Sequence, residues 1–295
     1  MTLRHLQIFV EVCNTMHMTD AANHLFMSQS AVSQAIADLE SQYQVRLFER
    51  LSKKLYLTQA GETLVTYARH MIRLHSDAEN EMRTLKQCGK VRIGASVTIC
   101  SYLLPKLAIE FQLQQPKLLF EVVEDNTHHI EQLILCDKLD LGLVEGEIHS
   151  PDLICKPFLA DSLVLVCGKT HPLATYTSIE AHQLQQENFI LRELGSGTRK
   201  TFEDVMQKHH LTWASSWTCN TFETIKEAVA AGLGLTVISE RAVQKELLSG
   251  TLKKIELNEL NFQRQFQLIY HKNKFLTDTM KAFITFCFSN MDSLL

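Results

Sequence analysis

The sequence predicts an α/β protein headed by an all-α winged helix-turn-helix, with a long linker helix between that head and a two-lobed α/β remainder. Three observations carry this. Two short amphipathic runs meet at a tight turn between Thr19 and Glu40, the stretch from Thr58 to about Lys86 has no proline and only Gly61, and short apolar runs alternate with helical patterns from Val91 onward. The 295 residues exceed what one winged-helix module needs and suggest two or three units.

Thr19 is the natural N-cap of the first run, with Ala22 and Leu25 on its buried side; Met27-Ser28 interrupts, and Ser28 or Gln29 begins the second run. Val32, Ile36 and Leu39 recur at helical spacing and turn inward. Gln29, Ser30, Ser33 and Gln34 are left at the leading end of that helix, where a helix-turn-helix presents hydrogen-bonding side chains to base edges in the major groove of double-stranded DNA. The formal charge of −4 excludes a protein that coats nucleic acid indiscriminately, so phosphate contact must rest on a small patch. Arg46, Arg50, Lys53 and Lys54 supply one, opposed nearby only by Glu49, and Leu51 through Leu57 has the pattern of a short β-wing. A solvated basic surface is the ordinary alternative for such a run.

Ala21-Ala22, Leu25, Ser28 through Ser33, Ile36, Leu39-Glu40, Leu47-Phe48, Arg50, Leu57-Thr58 and Ala60-Gly61 together resemble the signature of the LysR-type transcriptional regulators. Gln44 departs from it, standing where the family usually has glycine, so a left-handed turn must be adopted there by a non-Gly residue at some cost. The resemblance implies a winged helix-turn-helix DNA-binding domain over 1–60, a linker and dimerisation helix over 61–88, and an effector-binding domain over 89–295. It also implies a promoter operator and RNA polymerase as partners and a cytoplasmic location. Within the long helix, Leu64, Met71, Ala78 and Leu85 recur every seven residues, with Tyr67 and Leu74 at the second position and Met82 beside Glu81. Such a seam calls for a partner helix and predicts a dimer, with packing on its own chain as the alternative; the family resemblance implies a dimer of dimers.

The remainder reads as strands at Val91–Ala95, Leu118–Val123, Leu139–Val144, Leu163–Cys167, Asn188–Arg192, Leu235–Ile238 and Phe266–Tyr270. Helices are expected at Tyr102–Gln115, His128–Leu135 and near 199–209, 222–231, 240–248 and 275–289. The order resembles the family's two-lobed effector domain, itself similar to periplasmic solute-binding proteins, with lobe I at 89–160 and 265–295 and lobe II at 161–264. Ligands sit beyond the carboxyl ends of parallel strands, which singles out the loops Ser96–Ser101 and Glu193–Arg199. Each joins hydroxyl donors to a helix start, and the second adds two glycines and a guanidinium, so together they outline a clamp for a small anionic effector, an inorganic oxyanion such as sulfite or sulfate, or a small carboxylate.

Ser96, Thr98, Ser196, Thr198 and Arg199 are the candidate contacts. For Ser96 and Thr98 a helix cap is an equally ordinary reading, and for Arg199 pairing with a nearby carboxylate is the alternative. Glu145, at a strand end, is placed to meet an effector hydroxyl or ammonium, or else stands on the surface; Thr221 faces the cleft or merely caps a helix. Cys100 is a site-lining thiol or a small core residue.

No cofactor or metal is expected. His128-His129 and His209-His210 are adjacent pairs that point apart and cannot form the i, i+4 pair of a helical zinc site. Eight scattered cysteines without a CxxC fit reduced thiols. The first residues lack a signal peptide's apolar core and no apolar run reaches the roughly 18 residues of a membrane span. An enzyme or a solute-binding protein on a bilobal fold is the alternative class; neither accounts for the first 60 residues, and no triad, P-loop or GxSxG arrangement is visible.

Overall fold

Thr2 begins the chain's first helix, α1 (Leu3–Thr15), through a capping box in which its hydroxyl accepts the His5 N–H and His5 Nδ1 accepts the Thr2 N–H. In this computed structural model residues 1–51, 54–83 and 90–289 are described; the expectations at Lys53, Leu85 and Cys88 lie outside them. Sequence reading passed over α1, whose Leu6, Phe9 and Val12 bury one stripe against α2 (Met18–His24) and α3 (Gln29–Tyr43). Thr19 does not cap α2. The Thr15 hydroxyl braces the backbone of His17 on both sides, so the helix starts at Met18 with His17 in the cap position. Ser28 caps α3 by accepting the Ala31 N–H, and Gln44 ends it at φ 54°, the left-handed turn expected there.

Strands β1 (Phe48–Leu51) and β2 (Lys54–Leu57) pair antiparallel as the wing, and α4 (Gln59–Arg83) follows. Val65 and Ala68 of α4 join the head's core, while Tyr67, Met71, Leu74 and Met82 stay exposed along the helix. Gly61 is the tightest point. A Cβ there would lie 2.3 Å from the carbonyl oxygen of Leu47, so only glycine lets the first turn of α4 approach the chain leading into the wing.

The second unit starts with β3 (Lys90–Ser96), followed by two helices where one was expected: α5 (Val97–Tyr102) and α6 (Leu104–Gln114). Pro105 has no N–H to continue the first helix and restarts it instead, so the hydroxyl-rich segment after β3 is itself helical. Next come β4 (Leu119–Asp125), α7 (Thr127–Leu135) and β5 (Leu141–Glu145). Strand β6 (Leu153–Gly168) runs sixteen residues, of which only the apolar second half was legible. Beyond it lie β7 (Ser178–Ile179), β8 (Asn188–Arg192), α8 (Gly197–Lys208), β9 (Ala214–Cys219), α9 (Phe222–Ala230) and β10 (Thr236–Ser239). The chain closes with α10 (Glu240–Ser249), β11 (Leu252–Leu257), β12 (Gln263–His271) and α11 (Asp278–Ser289).

β3 lies between β4 and β5, parallel to both, and β12 runs antiparallel between β5 and the first half of β6. The second half of β6 pairs with β10 and β11. A single strand thus passes from one apolar core, built on Ile93, Phe111, Leu143 and Phe283, to another, built on Leu165, Phe189, Phe202 and Val237. These are the two lobes. β8 and β9 pair parallel, and β8 joins the second lobe through reciprocal bonds between its backbone and Leu235.

Replacing Gly61 by alanine drives a methyl group into a backbone carbonyl, and the head is expected to lose about 1–3 kcal/mol, the usual cost of overpacking. A lowered thermal transition with weakened operator binding checks this; an unchanged transition shows that the Leu47 segment yields freely.

Candidate effector cleft and DNA-reading face

Gln29, Ser30 and Gln34 are exposed on the leading half of α3 and Ser33 is half-buried beside them. The side chains are held locally: Gln29 Nε2 donates to Ser33 Oγ at 2.7 Å and Gln34 Nε2 to Asp38 Oδ1 at 2.8 Å. Arg50, on the exposed face of the wing, lines one surface depression with Ser33 and a second with Gln29. Helix and wing therefore present their polar groups along one surface. Lys54 is exposed at the start of β2, and Arg46 is mostly exposed, 3.9 Å from Glu40.

The centre of the two-lobed unit is Arg264, which sequence reading did not single out. It stands opposite Asp161 in the β12–β6 register, where β6 passes between the lobes. Its Nε donates to Asp161 Oδ2 at 2.8 Å, Nη1 to Thr198 Oγ1 at 2.8 Å and Nη2 to Thr98 Oγ1 at 3.3 Å; Nη2 also lies 3.1 Å from Glu145 Oε2. Thr198 Oγ1 donates onward to Glu145 Oε1 at 3.1 Å, and Ser239 Oγ donates to Asp161 Oδ1 at 2.9 Å. Arg241 approaches the same carboxylate at 3.6 Å. Burial pushes the Asp161 carboxyl up, while Arg264 and Ser239 hold it down in part.

Five of the expected contacts thus meet in one buried cluster or border it. Thr98 and Thr198 touch Arg264 directly. Ser96 and Ser196 occupy the N-cap positions of α5 and α8, at 1% and 2% exposure, yet neither hydroxyl has a hydrogen-bond partner among the described residues. Glu145 is not a surface carboxylate but is 1% exposed, because it ends a strand buried along its whole length. Gly197 makes the approach possible: a Cβ there would stand 2.1 Å from the Glu145 carbonyl oxygen. One loop residue, Gly195 at φ 89°, accepts the His128 N–H at 3.2 Å, closing a further bridge between lobes.

Two candidates are placed differently. Arg199 takes the pairing named as its alternative: Nε donates to Glu203 Oε1 at 2.7 Å and Nη1 to the Arg192 carbonyl at 3.1 Å. Thr221 is exposed and caps α9 through the Thr224 N–H, apart from the Arg264 cluster. Cys100 packs partly buried against the first lobe's core, and burial, with Glu124 beside it, pushes its thiol up to about 11. The histidine pairs are exposed, and no group able to hold a metal ion occurs among the described residues. No helix among them is long and apolar enough to cross a membrane.

Residues 3–62 match the bacterial regulatory helix-turn-helix protein, lysR family, and residues 86–292 match the LysR substrate binding domain. The HTH-type transcriptional regulator YeiE of Escherichia coli K12 is 35% identical over 286 residues, 97% of each chain. CysL of Bacillus subtilis 168 is 32% identical over 292 residues, 98% of each. The regulatory domain of Synechocystis CcmR, solved in complex with 2-PG, is 27% identical with a TM-score of 0.64, covering 70% of this chain and 99% of that one. A full-length OxyR variant from Pseudomonas aeruginosa shares the fold, with a TM-score of 0.68 over 100% and 94% of the two chains at 22% identity. The chain belongs to the LysR family: it is not an enzyme but a transcriptional regulator that binds DNA through the helix-turn-helix and responds to a small effector through the two-lobed domain.

Proposed function

We propose that the effector is a small anion, an inorganic oxyanion such as sulfite or sulfate or a small carboxylate, held between lobe I (89–160 and 265–295) and lobe II (161–264) by Ser96, Thr98, Ser196 and Thr198 with Arg264 as the counter-charge. The observation that carries this reading is the pairing of a buried guanidinium, bonded to threonines of both lobes, with two buried serine hydroxyls that have no partner among the described residues. Buried hydroxyls at helix N-caps that bond nothing are a cost, recovered when an acceptor arrives. Glu145 is the anion already present: it takes one Thr198 bond and one face of Arg264. An incoming anion competes with that carboxylate, and the exchange alters how the lobes are held. Arg199, tied to Glu203, adds positive potential without the direct contact its position suggested.

In the same reading Gln29, Ser30, Ser33 and Gln34 read operator bases, and Arg50, Lys53 and Lys54 hold phosphates. The protein works in the cytoplasm as a homodimer or homotetramer joined through the linker helix of 61–88, whose Tyr67, Met71 and Leu74 are exposed at heptad spacing, and it contacts RNA polymerase. The effector acts only through the difference in its affinity for two arrangements of the protein.

Three outcomes test it. Thr98→Val and Thr198→Val are expected to weaken anion binding about tenfold or more, as each removes a hydrogen bond to a charged group, with operator affinity retained; Gln29→Ala does the reverse, and equal damage to DNA binding by all three refutes the division of roles. Glu145→Gln keeps the side chain's size and removes the competing charge, so anion affinity measured by calorimetry rises about tenfold, roughly 1.4 kcal/mol; a fall means that Glu145 assists the anion. Arg50→Ala lowers the slope of log affinity against log salt by about one, uniformly across operator sequences; a change confined to one base position makes Arg50 a base reader instead.

A further inference from the structure

A groove of about 390 Å³ opens between α7 and α8, with Ser196 and Glu145 among the residues lining it. Its two walls differ chemically. On the α8 wall the Ser196 hydroxyl, buried and unpartnered among the described residues, stands at the start of a twelve-residue helix whose N-cap side chain makes no capping bond. On the facing wall, Glu131 lies on α7 and Glu147 just after β5. Glu131 is buried and accepts the Ser150 N–H at 3.1 Å, and neither carboxylate has an ion-pair partner among the described residues. The two cations on the α8 side are already engaged, Arg199 with Glu203 and Lys200 with Asp204, although Lys200 also feels Glu147.

A plain oxyanion answers only the hydroxyl on the α8 wall and is repelled by the carboxylates of the facing wall. We infer that the natural effector is a zwitterion of amino-acid size, with a carboxylate or sulfonate head on Ser196 and the first-turn amides of α8 and a protonated amine against Glu131 and Glu147. This narrows the anionic effector proposed above and rests on that reading. The groove's volume suits such a molecule with room left, since small-molecule pockets begin near roughly 300 Å³. The amine supplies the positive charge that two carboxylates without an ion pair among the described residues call for, and a charge-assisted hydrogen bond to either is stronger than a neutral one. Glu147 is exposed and bonded to nothing structural, so it can be altered without disturbing the fold.

The test compares matched pairs on the full chain: taurine against ethanesulfonate, and L-alanine against propionate, with sulfate as a third probe, by thermal unfolding and calorimetry. The expected result is affinity for each amine-bearing member about tenfold above its amine-free partner. Glu147→Gln reduces that advantage while leaving the ligand-free transition unchanged, and Ser196→Ala weakens both members of each pair. Equal binding within the pairs, or an amine advantage undiminished by Glu147→Gln, overturns the inference. If sulfate or propionate then still binds in a Thr98-dependent manner, the anion site stands and only the zwitterion falls; if no anion with or without an amine binds, both fall.

Discussion

Arg264 is the charge on which the two-lobed unit depends. A guanidinium taken out of water is costly unless its attraction to opposite charges and its hydrogen bonds are nearly all recovered. Here the recovery is divided: Asp161 lies across the strand pair, Thr98 and Glu145 come from the first lobe, and Thr198 comes from the second. The lobes therefore cannot separate without exposing or unpairing part of this cluster. A positive charge is kept where β6 and β12 cross between the two cores.

The small residues around this centre follow from the same constraint. Hydroxyl side chains donate to an anion or accept from a guanidinium, so Thr98 and Thr198 can serve Arg264 now and an acceptor later without moving far. Glycine at 197 lets the start of α8 lie against the end of β5, which puts the helix terminus, the Glu145 carboxylate and the Thr198 hydroxyl within one hydrogen-bonding set. A larger residue would push α8 away and turn a bonded contact into a gap filled by water.

Much of this was legible in the residues. The head declares itself through fixed offsets, Ser28 to Val32 to Ile36 to Leu39, because cap and apolar stripe are local properties of one helix. The two loops beside the Arg264 cluster were legible for the same reason, as hydroxyls and glycines placed between a strand and a helix. Arg264 was passed over although it stands in phase with Phe262 and Phe266, on the inward face of a strand whose Gln263 and Gln265 are exposed; that phase marks burial, but only the β12–β6 register brings it onto Asp161. The polar first half of β6 and the strand β9, with its run of exposed serines, fail for a related reason: their pairing is set by distant partners and not by their own apolar pattern. Helix α1 was passed over although its stripe of Leu6, Phe9 and Val12 is regular, since its Thr2 cap lies almost at the chain start.

The arrangement also bears on why an effector of low mass can act at all. A ligand of a few atoms makes few contacts, and a population shift between two arrangements requires a difference in affinity between them, not affinity alone. Competition for a buried guanidinium supplies such a difference. In the arrangement seen here Arg264 is satisfied by Glu145; in the proposed effector-bound arrangement Glu145 leaves, and the ligand inherits a desolvated, pre-positioned cation together with two hydroxyls that have no partner among the described residues. On that proposal, selectivity between the arrangements comes from the protein's own carboxylate. Because linkage is reciprocal, whatever DNA contact favours the second arrangement must raise effector affinity by the same factor that the effector raises DNA affinity.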